Sequence, residues 1–173
     1  MSAVAIGAFR AARRACFSLD ECCGAMDETI AELQTNTFVT TVLAKWHAST
    51  RTLSWINCGH PLPVLLTRDG GVIELEGDGT HPLGLWREER DGFRRNQRNL
   101  DAGDRVLLYS DGVTDRRTVD GGFLGLEGLL EILGDLRDAS ASETVVALET
   151  QIRAASDTEL ADDATQLVLE VTA

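Results

Sequence analysis

The 173-residue chain is short of positive charge, with 16 Lys and Arg against 28 Asp and Glu and a formal net charge of −12 at neutral pH. Counterion release on a nucleic acid requires Lys and Arg gathered on one face. The basic clusters here are Arg10, Arg13, Arg14 and Arg94, Arg95, Arg98, and the first has the spacing of a solvated helix side. No nucleic-acid partner is therefore expected. A hydrophobic fraction of 43% and a charged fraction of 25% argue against a membrane bundle and against a disordered acidic tail. Ala3 to Phe9 is apolar, but no positive segment precedes it and three arginines follow within a turn, so neither an export signal nor membrane insertion is expected. The four cysteines, Cys16, Cys22, Cys23 and Cys58, have no C-x-x-C spacing. That absence excludes a zinc site or a disulfide framework and predicts reduced, buried thiols in a cytoplasmic protein. At about 150 residues per domain, the length predicts a single domain over 1–173, large enough to bury about 70% of its unfolded surface without a staple.

Val4, Ile6, Phe9, Ala12 and Cys16 mostly recur at helical spacing and predict an amphipathic helix from Ser2 to Cys16. Ser18 with Glu21 is a capping-box pattern that opens a second helix through Leu33. Then the texture changes. Thr37 to Trp46 and Thr52 to Cys58 are rich in β-branched and aromatic residues and predict a hairpin; Val64 to Thr67 and Val72 to Leu75 predict another across Arg68-Asp69-Gly70-Gly71. After a Gly-rich connection from Gly77 to Gly84 come a weak strand near Phe93 to Arg98 and a nearly all-apolar strand from Asp104 to Tyr109, which belongs at a sheet centre. Helices are predicted over Leu126 to Leu136 and, behind a second Ser-x-x-Glu pattern at Ser140, over Ser142 to Ala155; a strand from Thr165 to Val171 closes the chain. This order does not alternate as βαβ units do, which predicts an α+β protein with antiparallel sheets covered by helices.

Two acidic segments could carry chemistry. Asp111-Gly112 follows the strand ending at Tyr109. Asp-Gly at such a place is by itself a turn, yet a carboxylate on the end of a rigid strand can also hold a hard cation. If the segment turns helically, Asp111 and Asp115 lie on one side of it. Asp162-Asp163-Ala164-Thr165 precedes the last strand and reads alone as a solvated loop. Set beside Asp111, it would complete an oxygen-rich site suited to magnesium or manganese rather than zinc. Asn57-Cys58-Gly59-His60-Pro61 and His81-Pro82-Leu83-Gly84 are rigid turns that could rim such a site.

Taken together, Phe38-Val39-Thr40, Asn57-Cys58-Gly59-His60-Pro61, Pro82-Leu83-Gly84, Gly103 through Asp115 and Asp162-Asp163-Ala164-Thr165 resemble the SpoIIE-type branch of the PPM family, metal-dependent protein serine/threonine phosphatases of bacterial sigma-factor control. The segments stand in family order and spacing along essentially the whole chain. The resemblance implies an αββα sandwich with two Mn2+ or Mg2+ ions between its sheets. It puts Asp111, Gly112, Asp115, Asp162 and Asp163 at the metal centre, with Asp111 and Asp162 as the catalytic ligands and Asp115 at a further, weaker metal position. Gly59 and His60 fall on the rim, with no general-acid role for His60. The implied substrate is a phosphorylated regulatory protein of the anti-sigma-factor-antagonist type.

Family members also carry N-terminal strands and an Asp-x-x-Gly-His-Gly segment just before the first long helix, whose Asp bridges both metals. The sequence opens at that helix and contains no such segment. From this we expect a domain lacking one or two N-terminal strands, as a fragment, a downstream start or a degenerate domain, with hydrolysis weak or absent. The alternative expectation is a non-catalytic regulatory module that binds a partner protein, with homodimer pairing across an uncovered sheet edge as one remedy for missing strands.

Overall fold

The computed structural model describes residues 1–33, 37–85, 92–119, 121–154 and 163–172. In chain order the elements are α1 (Ser2–Arg14), α2 (Leu19–Ala31), β1 (Thr41–His47), β2 (Thr52–Cys58), β3 (Val64–Leu66), β4 (Val72–Glu74), β5 (Gly79–Thr80), β6 (Asn96–Asn99), β7 (Arg105–Tyr109), a single 3-10 turn (Asp111–Val113), α3 (Gly125–Asp135), α4 (Ala141–Ala154) and β8 (Gln166–Glu170). They gather into two compact units, Met1–His60 with Gly77–Asn99, and Pro61–Glu76 with Leu100–Ala173.

In the first unit, α2 begins at Ser18 because that residue and Glu21 satisfy each other's backbone donors. The Glu21 carboxylate accepts the Ser18 N–H at 2.7 Å and the Ser18 hydroxyl accepts the Glu21 N–H at 3.4 Å. The buried face of α2, Cys22, Cys23, Met26 and Ile30, has helical spacing and packs with Ala5 and Ala12 of α1 against Leu43, Ile56 and Leu83. β1 and β2 pair antiparallel over their full length, from Thr41↔Cys58 to His47↔Thr52. The strand expected from Thr37 starts later because Val39 is engaged elsewhere, exchanging both backbone hydrogen bonds with Leu83 at 2.9 and 2.8 Å. On its other edge β2 carries β6, antiparallel, and β5, which pairs in parallel through Asn57↔Gly79 and Cys58↔Thr80. β5 is two residues long, too short to show any periodicity, so the sequence reads it only as connection. Cys22, Cys23 and Cys58 are buried as expected, whereas Cys16 is exposed. α1 has already ended at Arg14, and Cys16 takes a left-handed φ of 61° in the turn that follows.

The second unit is a four-stranded antiparallel sheet in the order β4-β3-β7-β8. The apolar β7 takes an interior place, with Val106 and Leu107 buried. α3 contributes Leu129 and Leu133, and α4 contributes Leu148 and Ile152, to a core with Val64, Leu66 and Leu107; each helical pair is four residues apart, on one face. The capping box at Ser140 forms, its N–H donating to the Glu143 carboxylate at 2.8 Å. Ala155, the last residue of the expected helix, lies outside the described residues. Arg105, at the start of β7, is buried at 2% exposure and donates to the α3 C-terminal carbonyls of Leu136 (2.9 Å) and Arg137 (2.6 Å) and to Thr144 Oγ1 of α4. One guanidinium thus satisfies acceptors that a helix end leaves open. The α+β class therefore stands, with two sheets and, among the described residues, four helices.

Candidate metal centre

β7 delivers Ser110 in an extended conformation (φ −87°, ψ 160°), after which the chain folds into the 3-10 turn. The main-chain carbonyl of Asp111 accepts the Asp115 N–H at 2.8 Å and the Thr114 hydroxyl at 3.1 Å. Asp111 and Asp115 therefore stand one turn apart, as the helical reading of this segment requires. One oxygen of the Asp111 carboxylate accepts the Gly112 N–H at 3.0 Å. Asp111, Asp115 and Asp163 are all exposed.

The second acidic segment lies directly against the first. β7 and β8 end in register at Tyr109↔Gln166, and Ser110 continues the zipper beyond the ladder. Its N–H donates to the Thr165 carbonyl at 3.0 Å, its hydroxyl donates to the Asp163 carbonyl at 3.0 Å, and the same hydroxyl accepts the Thr165 N–H at 2.9 Å. Gly112 comes so close that a Cβ placed on it would stand 2.6 Å from the Asp163 carbonyl oxygen and 3.2 Å from the Ala164 nitrogen. The sequence named Ser110 only as one residue of a motif; here it is the fastener between the two segments. Asp162 lies outside the described residues.

The donors in this place are carboxylate and carbonyl oxygens, the set that hard divalent cations such as Mg2+ and Mn2+ favour, whereas zinc prefers nitrogen and sulfur. The close contact at Gly112 fits the same reading, since only a residue without a side chain allows the two oxygen-bearing segments to touch. Among the described residues, no three His, Cys, Asp or Glu side chains are grouped closely enough to hold a metal ion by themselves.

Gly59 and His60 belong to the other unit. There the buried Asn57 clamps His60 through both main-chain groups, accepting its N–H at 2.8 Å and donating to its carbonyl at 2.7 Å. The His60 ring nitrogen Nδ1 lies 3.4 Å from Thr40 Oγ1. Gly59 has φ +68°, and a Cβ there would meet the Pro82 ring at 2.6 Å, so this turn tolerates only glycine. Gly84, at φ +83°, donates its N–H to the buried Asp27 carboxylate at 2.7 Å. Asp27 escaped the sequence reading, because a single acid within a helix announces no partner.

The family model for Stage II sporulation protein E (SpoIIE) matches residues 1–172, and the chain belongs to that family. Among curated proteins it is similar to phosphoserine phosphatase RsbU of Bacillus subtilis (strain 168), 29% identical over 133 residues, which is 76% of this chain and 38% of RsbU. The chain thus spans well under half the length of that relative. Its fold matches the SiaA-PP2C domain of Pseudomonas aeruginosa with a TM-score of 0.83 at 19% identity, over 96% of this chain and 67% of that one. It also matches the catalytic domain of the Mycobacterium tuberculosis serine/threonine phosphatase PstP, solved in complex with two manganese ions, with a TM-score of 0.65 at 21% identity over 90% of this chain and 70% of that one. Among the described residues, no helix is long and apolar enough to cross a membrane.

Proposed function

We propose that this chain is a metal-dependent protein serine/threonine phosphatase domain over 1–173, cytoplasmic, acting on phosphoserine or phosphothreonine of a regulatory protein of the anti-sigma-factor-antagonist type. The observation that carries the reading is the closure of Ser110-Asp111-Gly112 onto the 163–165 segment, supported by the family match through both units. Mn2+ or Mg2+ held there would supply Lewis acidity and neutralise charge on the phosphoryl oxygens. Asp111, Asp162 and Asp163 are the proposed carboxylate ligands, Asp115 contributes to a weaker position, and Gly112 keeps the approach open. The role of β7 is placement: it is an interior strand, so the Asp111 carboxylate reaches the site from a rigid base.

The absence of Asp-x-x-Gly-His-Gly from the sequence favours low turnover by this chain as it stands. Fewer carboxylates mean lower affinity for a divalent ion. The same absence supports the second reading, a non-catalytic module that binds a partner protein. Phosphate release from a phosphoserine protein decides between them. Slow manganese-dependent release that is lost in Asp111→Asn supports the phosphatase; no release at any manganese concentration supports the module.

A further inference from the structure

The first unit carries a basic and apolar strip that the proposed chemistry does not use. In a chain with 28 acidic residues, α1 contains Arg10, Arg13 and Arg14 and no Asp or Glu. Arg13 also lines a cleft of about 570 Å3, together with Phe9, Phe17, Trp46 and the chain's one lysine, Lys45. A second, more open cleft of about 580 Å3 is lined on α1 by Ile6, Arg10 and Arg14, and the two share Phe9 and Arg13. Among the described residues, no acidic side chain lines either cleft. The nearby Glu21 carboxylate is turned back onto Ser18 as the α2 cap. Ile6 and Phe17 are 49% and 46% exposed, and the Arg13 guanidinium lies 6.0 Å from the centre of the Phe9 ring, which sets a cation beside an aromatic face.

From this we infer that the strip is a docking site for an acidic peptide segment with apolar anchors, its carboxylates meeting Arg10, Arg13, Arg14 and Lys45 and its apolar side chains entering beside Phe17 and Trp46. Charge complementarity selects an acidic occupant. Two clefts that share the Phe9 and Arg13 wall favour a linear segment reaching both over a compact ligand, and the aromatic lining supplies the kind of anchor pocket on which binding energy concentrates. The site is independent of phosphate hydrolysis and stands whether or not the chain is an active phosphatase.

The test uses the full 173-residue chain and a fluorescein-labelled peptide in which Glu alternates with Leu and Phe, read by fluorescence anisotropy. Two controls replace every Glu by Gln or every apolar residue by Gly. The expected result is saturable binding of the acidic apolar peptide alone, weakening as salt rises. Arg13→Glu with Lys45→Glu weakens it by about tenfold or more, Phe17→Ser weakens it without a change in charge, and Asp111→Asn leaves it intact. All these positions are exposed, and thermal melts confirm that the variants fold. Equal binding of the Gln control or of the charge-reversed variant overturns the inference. So does salt-sensitive self-association that the same reversal abolishes in the absence of peptide binding, which would assign the strip to a second copy. Capture of anionic vesicles in place of peptide would assign it to a lipid surface and equally overturn the inference.

Discussion

Gly112 and Asp163 touch through the main chain, so that a single added carbon on Gly112 would stand 2.6 Å from the Asp163 carbonyl oxygen. The neighbour is backbone and cannot rotate away as a side chain would. Gly112→Ala is therefore expected to push the two acidic segments apart, destabilising the fold by ~1–3 kcal/mol and weakening manganese binding by about tenfold or more. Gly24 in α2 has nothing within 4 Å of the same virtual carbon, so Gly24→Ala is expected to stabilise by ~0.5–1 kcal/mol. Urea denaturation and calorimetric manganese titration of both variants check the contrast. Unchanged manganese affinity in Gly112→Ala would remove this contact from the site.

The contrast between local and distant determinants explains what the sequence disclosed. The boundaries of β2 and the two capping boxes were legible because each depends on residues within a few positions. β7 was placed at the sheet centre from its apolar run alone. The meeting of Ser110 and Gly112 with the 163–165 segment rests on the β7–β8 register and on Ser110 bonds across 53 and 55 residues, and no local pattern encodes it; only the resemblance points there. Asp27 and Gly84 are 57 residues apart and invisible for the same reason. Cys16 was read as buried from its place in an apolar periodicity that the chain leaves two residues earlier.

Arg105 is expected to be the costliest single polar residue in the second unit. Its burial lowers its pKa, with Glu170 and Asp138 acting in the opposite sense, and its stability rests on the Thr144 hydroxyl and two helix-end carbonyls. Arg105→Ala leaves the buried Thr144 hydroxyl and two partly buried carbonyls without this donor, at a cost of ~2–4 kcal/mol. Arg105→Lys should recover only part of this, since an ammonium cannot span the three acceptors in the fixed fork geometry of a guanidinium. A urea midpoint for Arg105→Lys equal to the parent's would contradict the account.

The Pro82-Leu83-Gly84 turn should be equally intolerant. Gly84 has φ +83°, and a Cβ there would overlap Ile30 Cγ2. Gly84→Ala combines left-handed strain with overpacking and is expected to cost ~2–4 kcal/mol. Asp27→Ala, which removes the acceptor of the Gly84 N–H, is expected to cost ~1–3 kcal/mol. Because the two residues share one hydrogen bond, the double variant should be less destabilised than the sum of the singles. Thermal melts of the four proteins in the cycle measure the coupling, and strict additivity would show that the strain at Gly84→Ala leaves its bond to Asp27 undisturbed.

Tyr109, the chain's one tyrosine, offers a pH readout beside the proposed site. It is the last residue of β7 and is buried in the core with Val113, Leu129 and Val168. Burial, with a smaller contribution from Glu74, pushes its phenol from 10.0 up to about 12. The neutral form is thus favoured in the fold. Its contribution to stability is fully present below the unfolded value of 10.0 and is lost as pH rises through the folded value of about 12. Ultraviolet absorbance of the phenolate reports this group alone. In the folded chain it should titrate near the raised value or appear together with unfolding, whereas the urea-unfolded chain should titrate near 10. Tyr109→Phe should flatten the alkaline part of the stability profile. A folded-state titration near 10 would mean that the end of β7 is open to water.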